Sequence, residues 1–186
     1  MKYALFLGCK IPSQLPAYEA STRAVLGHFG VTLVDLEFDC CGYPARNYSH
    51  DAFVVAAARN LALAERAGLD VLTPCKCCFG TLRHAIRFLH KDAELRSRVG
   101  EALAEEALAW SGKAEVEHLL PVLARTIGVD ALAAAVRANC GWLVNIRANC
   151  GRKGLVESAF SPVRMKVGGA SPPMRCSRTM LGALVS

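Results

Sequence analysis

Three times in the first 80 residues a short apolar run leads into one or more cysteines and then into a helix-forming stretch, and this repetition constrains the fold more than any other feature of the chain. Tyr3–Gly8, Val31–Leu36 and Leu69–Thr73 have the length and apolar character of buried strands. Between them lie Tyr18–Phe29, preceded by the helix-start signals Pro12 and Pro16 and closed by Gly30, and Ala52–Ala67, closed by Gly68. After the third strand come helical segments through His90 and from Asp92 to Trp110, then a fourth short strand centred on Val116 and a helix over Leu119–Ile127. Strands alternating with helices of this length require right-handed crossovers and a parallel sheet. The apolar content, 53% with only 7% aromatic, is carried by Ala, Leu and Val, as a sheet buried under helices demands. The predicted class is therefore α/β, a parallel sheet of about four strands flanked by helices.

Charge divides the chain unevenly. Residues 1–136 hold 14 basic against 15 acidic residues, a balance of −1, whereas residues 137–186 hold 8 basic residues against Glu157 alone, a balance of +7. The basicity that would suggest nucleic acid thus sits wholly in a segment without a reading element, and no nucleic-acid partner is expected. That segment repeats Arg-Ala-Asn-Cys-Gly at 137–141 and 147–151 and carries Gly168-Gly169 and Pro172-Pro173. It reads as an irregular, poorly ordered tail beside a folded domain of residues 1–136. No window approaches the about 20 apolar residues of a bilayer crossing, so no membrane span is expected. The six residues between Lys2 and Cys9 are too few for a signal-peptide core, and a cytoplasmic location follows, where the nine cysteines serve metal or redox chemistry rather than disulfides.

In a parallel sheet the residues just after each strand share the carboxyl edge, where open α/β folds bind ligands. Cys9 follows the first strand, Cys40 and Cys41 the second, and Cys75 and Cys78 the third, so cysteines separated by 30 and 33 residues are expected to converge. Zinc is satisfied by four ligands and an ordinary cubane cluster by four cysteines. A fifth thiolate favours a larger or irregular iron–sulfur centre. The plain alternative is that these are buried small hydrophobes, as free cysteines often are.

The segments Leu5-Phe6-Leu7-Gly8-Cys9, Cys40-Cys41-Gly42-Tyr43-Pro44 and Cys75-Lys76-Cys77-Cys78-Phe79-Gly80 resemble the cysteine-rich CCG domain of the B subunit of heterodisulfide reductase, a domain also found in iron–sulfur subunits of glycolate and lactate oxidation systems. The likeness covers residues 1 to about 136, including Val116-Glu117-His118-Leu119-Leu120. It implies a non-cubane [4Fe-4S] cluster held by Cys9, Cys40, Cys41, Cys75 and Cys78. It also implies an oxidoreductase subunit that passes electrons to a thiol/disulfide substrate, the CoB-CoM heterodisulfide or an analogue, within a complex of iron–sulfur and flavin subunits. In that family two such domains occur in tandem; no second Cys-Cys-Gly follows residue 136, and Cys140, Cys150 and Cys176 do not reproduce the spacing.

Cys77 sits where adjacent side chains diverge and is expected to be a bystander to Cys78. Gly8 and Gly42 either let the backbone approach cluster sulfides or simply form turns. Lys10, Arg46 and Lys76 stand beside the ligands in sequence, where cations balance thiolate charge, although each alone is more often solvated. His118 is expected to pack or cap rather than to bind metal. The stripe Phe53, Ala57, Leu61 and Ala64 is expected to be core. Two other functions fit the same cysteines: an electron relay from a flavoprotein that oxidises a hydroxy acid, and a structural zinc site holding an interaction domain together.

Overall fold

The computed structural model describes residues 1–139, and the expectations placed on the tail lie, from Cys140 onward, outside the described residues. Strands β1 (Lys2–Leu5), β2 (Thr32–Val34), β3 (Asp70–Thr73) and β4 (Val116–His118) form one sheet in the order β2-β1-β3-β4. Every pairing is parallel, with Ala4 opposite Val34 and Val71, and Leu72 opposite Glu117. This is the predicted architecture. β1 lies inside the sheet because the chain first steps outward to β2 and then crosses back to β3.

The helices are α1 (Lys10–Gln14), α2 (Pro16–His28), α3 (His50–Arg66), α4 (Lys76–Lys91), α5 (Ala93–Ala104), α6 (Leu119–Pro121) and α7 (Val129–Asn139). Side chains alternate across each strand and so divide the core in two. Ala4, Phe6, Val71 and Val116 face one way and pack with α3, α4 and α5; Tyr3 and Leu72 face the other way, against Leu26, Val31, Leu119 and Val122. Phe53, Ala57, Leu61 and Ala64 are all buried, as their spacing predicted. Each fully buried Leu or Phe contributes about 1.5–3 kcal/mol relative to exposure.

Local signals set the helix ends. The Ser49 Oγ accepts the Ala52 N–H at 3.2 Å and the Asp92 carboxylate accepts the Leu95 N–H at 2.9 Å, satisfying donors that the first turns of α3 and α5 leave free. The helix expected over Asp92–Trp110 stops at Ala104. Ala107 adopts a left-handed conformation (φ 54°), and the Leu108 N–H reaches back to the Leu103 carbonyl at 3.0 Å, so the chain reverses and buries Leu108. An alanine there carries the steric cost that a glycine avoids. Ala107→Gly is accordingly expected to raise the domain's stability by about 1 kcal/mol in a urea melt.

Beyond β4 the helical path runs further than the predicted Leu119–Ile127, through a π-helical segment Val122–Gly128 into α7. This corrects one expectation. Leu119–Val136 is an 18-residue helical run of mean hydropathy 1.7, long and apolar enough by length and composition to cross a membrane. Arg125 and Asp130 interrupt the apolar sequence without making the run polar, and Gly128 sits within it in a left-handed conformation (φ 92°). Leu119 and Val122 are buried in the second core, which ties the start of the run to the sheet.

Candidate metal centre

Six cysteines lie among the described residues, all free thiols. Each of the five predicted ligands follows a strand. Cys9 stands four residues past β1 at the start of α1. Cys40 and Cys41 occupy the irregular loop between β2 and the 3-10 turn Tyr43–Asn47. Cys75 precedes α4, its N–H held by the Thr73 Oγ1 at 3.2 Å, and Cys78 is in the first turn of that helix. Because the strands are parallel, these positions share one rim.

Contacts link the thiols into a chain. The Cys40 and Cys9 sulfurs are 4.0 Å apart. The Cys78 thiol donates to the Cys41 sulfur and Cys75 neighbours Cys78, while Cys40 adjoins Cys41. Gly8 closes the gap between the ends: a Cβ there would lie 2.6 Å from the Cys78 Sγ, and its φ of +67° disfavours any side chain. Among the described residues no three His, Cys, Asp or Glu side chains gather closely enough to share one metal ion.

The two buried thiols hold their protons unequally. The hydrogen bond from Cys78 draws the Cys41 pKa well below the ordinary thiol range against the opposing effect of burial, and the Tyr43 N–H and Thr81 hydroxyl assist. Cys78 is pushed up, first by its role as donor to Cys41 and then by burial. Burial pushes Cys40 up as well. These contacts favour the thiolate form at Cys41, and thiolate is the ligating form of cysteine.

Burial also ranks the sulfurs. Cys9 and Cys77 are exposed, Cys40 and Cys75 half-buried, Cys41 and Cys78 buried. Brief alkylation of metal-free protein, read by peptide mass spectrometry, is expected to modify Cys77 and Cys9 first and Cys41 and Cys78 last.

The surrounding residues are sorted by their contacts. Arg46 is exposed and lies over the rings of Tyr43 at 5.5 Å and Phe53 at 5.7 Å. Lys10 and Lys76 are exposed. His118 caps α6, its Nδ1 accepting the Leu120 N–H at 3.2 Å, and its ring stands edge-on to Phe79. That is the capping role expected of it. Gly42 (φ 85°) presses the loop onto α3, where a Cβ would lie 2.7 Å from the Phe53 carbonyl oxygen. Sequence reasoning missed Thr81 and Asn60, each 1% exposed. The signal for Asn60 was present: it is the one amide inside the apolar stripe of α3. A cleft of about 450 Å³ lined by Asp35, Leu36, Glu37, Leu63, Arg66 and Ala67 contains none of the cysteines.

A parallel sheet whose carboxyl rim gathers cysteines from three successive strand ends defines a cysteine-rich α/β domain. Residues 3–83 are a cysteine-rich domain of the CCG family. The chain is 34% identical over 154 residues to a heterodisulfide reductase B-subunit-like protein of Archaeoglobus profundus, covering 81% of this chain and 52% of that one. It is 31% identical over 152 residues to the B subunit of the ferredoxin/F(420)H(2)-dependent CoB-CoM heterodisulfide reductase of Methanosarcina acetivorans, covering 80% and 51%. An 8-methylmenaquinol:fumarate reductase membrane anchor subunit of Wolinella succinogenes is 34% identical over 128 residues, 68% of this chain and 44% of that one. The chain thus spans about half the length of the curated relatives it matches. Among solved structures, a hypothetical protein from Helicobacter pylori superposes with a TM-score of 0.59 at 26% identity, over 63% of this chain and 24% of that one.

Proposed function

We propose that this chain is an iron–sulfur subunit of a heterodisulfide-reductase-type complex, with residues 1–136 as its cluster-bearing domain. In this reading Cys9, Cys40, Cys41, Cys75 and Cys78 hold a non-cubane [4Fe-4S] cluster. The observation that carries it is the chain of thiol contacts along one rim of a CCG domain. The donor set fits such a group: soft thiolates select iron–sulfur chemistry, and five sulfurs spread over a rim suit a body of several metals better than one small ion. Gly8 leaves room beside Cys78 that any other residue would fill.

When bound, the cluster supplies one-electron chemistry. The chain's own residues bind and bias it: Cys41 is ready as a thiolate, Thr81 and the Tyr43 N–H support that sulfur, and Arg46 sets positive charge near the rim. Reducing a disulfide to two thiols consumes two electrons and two protons, so the substrate must be served by two one-electron deliveries. The exposed side of the rim at Cys9 and Cys77 is where a disulfide or an electron-donating subunit reaches the centre. The partners in this reading are the iron–sulfur and flavin subunits of such a complex, and six free cysteines agree with a reducing cytoplasm.

Anaerobically purified protein is expected to carry about four iron and four sulfide per chain. Reduced protein is expected to be reoxidised by the CoB-CoM heterodisulfide, followed by electron paramagnetic resonance. Stoichiometric zinc without sulfide would overturn the redox reading in favour of a structural site. The fumarate-reductase relative favours a second reading, electron relay within a different oxidoreductase complex. Rapid reduction by a copurifying flavoprotein, without reoxidation by any disulfide, would select it.

A further inference from the structure

The loop that carries Cys40 and Cys41 has no regular secondary structure from Asp35 to Cys41, so no strand ladder or helical turn fixes where these two sulfurs stand. Two successive residues of α3 grip it instead. Arg59 does so from the solvent side, pairing with Asp39 at 2.7 Å and Glu106 at 2.7 Å. Asn60 does so from within. Its Oδ1 accepts the Asp39 N–H at 2.9 Å, and its Nδ2 donates to the Cys40 carbonyl at 3.2 Å and to the Ala56 carbonyl at 2.9 Å. The carboxamide therefore brackets Asp39 and Cys40, accepting the N–H of the first and donating to the carbonyl of the second, and uses both donors and its acceptor.

The side chain is 1% exposed on a helix face otherwise made of Phe, Val, Ala and Leu. An amide in such a place is tolerated only when its hydrogen bonds are made, and two of the three here go to the cysteine loop. Adjacent residues in an extended chain point apart, so directing both Cys40 and Cys41 toward one group requires the backbone between them to be held in one conformation. Gly42, in its left-handed turn against α3, fixes the far side of the pair. On the near side Phe38 packs against Phe6 with ring centroids 5.0 Å apart, and Asn60 is the buried polar group that bonds the backbone of Asp39 and Cys40.

We infer that Asn60 is the positioning residue of the metal centre, locking the backbone on both sides of Cys40 so that the vicinal cysteines present their sulfurs together. The inference rests on the cluster reading above and adds to it a residue that is neither a ligand nor next to one in sequence. Arg59, bonded to the same loop through the exposed Asp39 carboxylate and a long 3.4 Å contact to the Glu37 carbonyl, is the built-in comparison, because pairs with exposed carboxylates position weakly.

The experiment takes wild type, Asn60→Ala and Arg59→Ala through anaerobic reconstitution with iron and sulfide. Thermal melts of the metal-free proteins report folding, iron retention against a chelator reports binding, and low-temperature electron paramagnetic resonance reports ligand geometry. Asn60→Ala is expected to melt cooperatively, to hold iron about 10-fold less tightly and to show displaced g-values, with Arg59→Ala matching wild type. A folded Asn60→Ala with wild-type retention and g-values overturns the inference, as does an Arg59→Ala that loses as much as Asn60→Ala. If Asn60→Ala has no cooperative melt, Asn60→Leu is read in its place, since it keeps the buried volume without adding a charge and loses the bonds to the loop. If wild type takes up no iron and sulfide, the cluster reading fails separately. The positioning role is then read with cobalt(II), whose thiolate charge-transfer absorption reports the sulfurs gathered on the ion: weaker absorption in the variant supports the inference and equal absorption overturns it.

Discussion

Cys41→Ser and Cys78→Ser, purified without oxygen, are expected to lose nearly all the iron and sulfide that the unaltered chain binds, whereas Cys77→Ser keeps them. The difference follows from where the three sulfurs lie. Cys41 and Cys78 are buried against each other at the middle of the contact chain, and each also touches an outer cysteine, so removing either splits the donor set. A serine oxygen is a harder ligand with a far higher pKa, and at position 41 it replaces the sulfur that its surroundings favour as thiolate. Cys77 is one residue from Cys78 but exposed. Iron and sulfide assays, with a melt of each metal-free variant to show that the fold persists, decide the matter; wild-type iron in Cys41→Ser would remove it from the ligand set.

The largest change in stability is expected from Gly42→Ala, and a contrasting change from Gly8→Ala. At Gly42 the added methyl would meet the Phe53 carbonyl oxygen at 2.7 Å and the Ala56 methyl at 3.2 Å, in a backbone conformation that already disfavours a side chain. Backbone of a central helix does not move aside cheaply, and the left-handed strain and the overlap together cost about 3 kcal/mol. At Gly8 the nearest atom, 2.6 Å away, is the Cys78 Sγ, the end of a side chain that can rotate. Gly8→Ala is expected to cost less stability but to displace a ligand, so its loss appears in iron content first. Paired urea melts and iron assays test this; a Gly8→Ala protein with full iron, or a Gly42→Ala protein as stable as wild type, would count against the packing described.

The strand–helix order was legible because apolar runs, prolines and glycines act locally, and because a parallel sheet then dictates that loops after the strands share an edge. The same logic placed the five cysteines on that edge. What escaped the sequence depended on contacts across it. Nothing near Asn60 in the chain points to the loop 21 residues earlier that it grips, and Thr81 gains meaning only when α4 brings it under Cys41. The early end of α5 was hidden for a related reason: residues 105–107 have ordinary helical character, and it is the burial of Leu108 that turns the chain back. The last helical stretch was expected to end at Ile127; Gly128 does leave the right-handed region there (φ 92°), and helix resumes directly after it as α7.

The sheet has two rims with different duties. The connections that return from helices to strands, at Phe29–Gly30, Ala67–Gly68 and residues 105–115, all lie at the amino ends of the strands, away from every cysteine described. The two short turns at Phe29–Gly30 and Ala67–Gly68 can be lengthened without reshaping the sulfur-bearing loops, whereas residues 105–115 carry the buried Leu108 and Ala114 and the Glu106 that pairs with Arg59. A fluorescent or affinity tag grafted into either turn would stand at the far edge of the sheet and leave the cysteine-bearing edge uncovered.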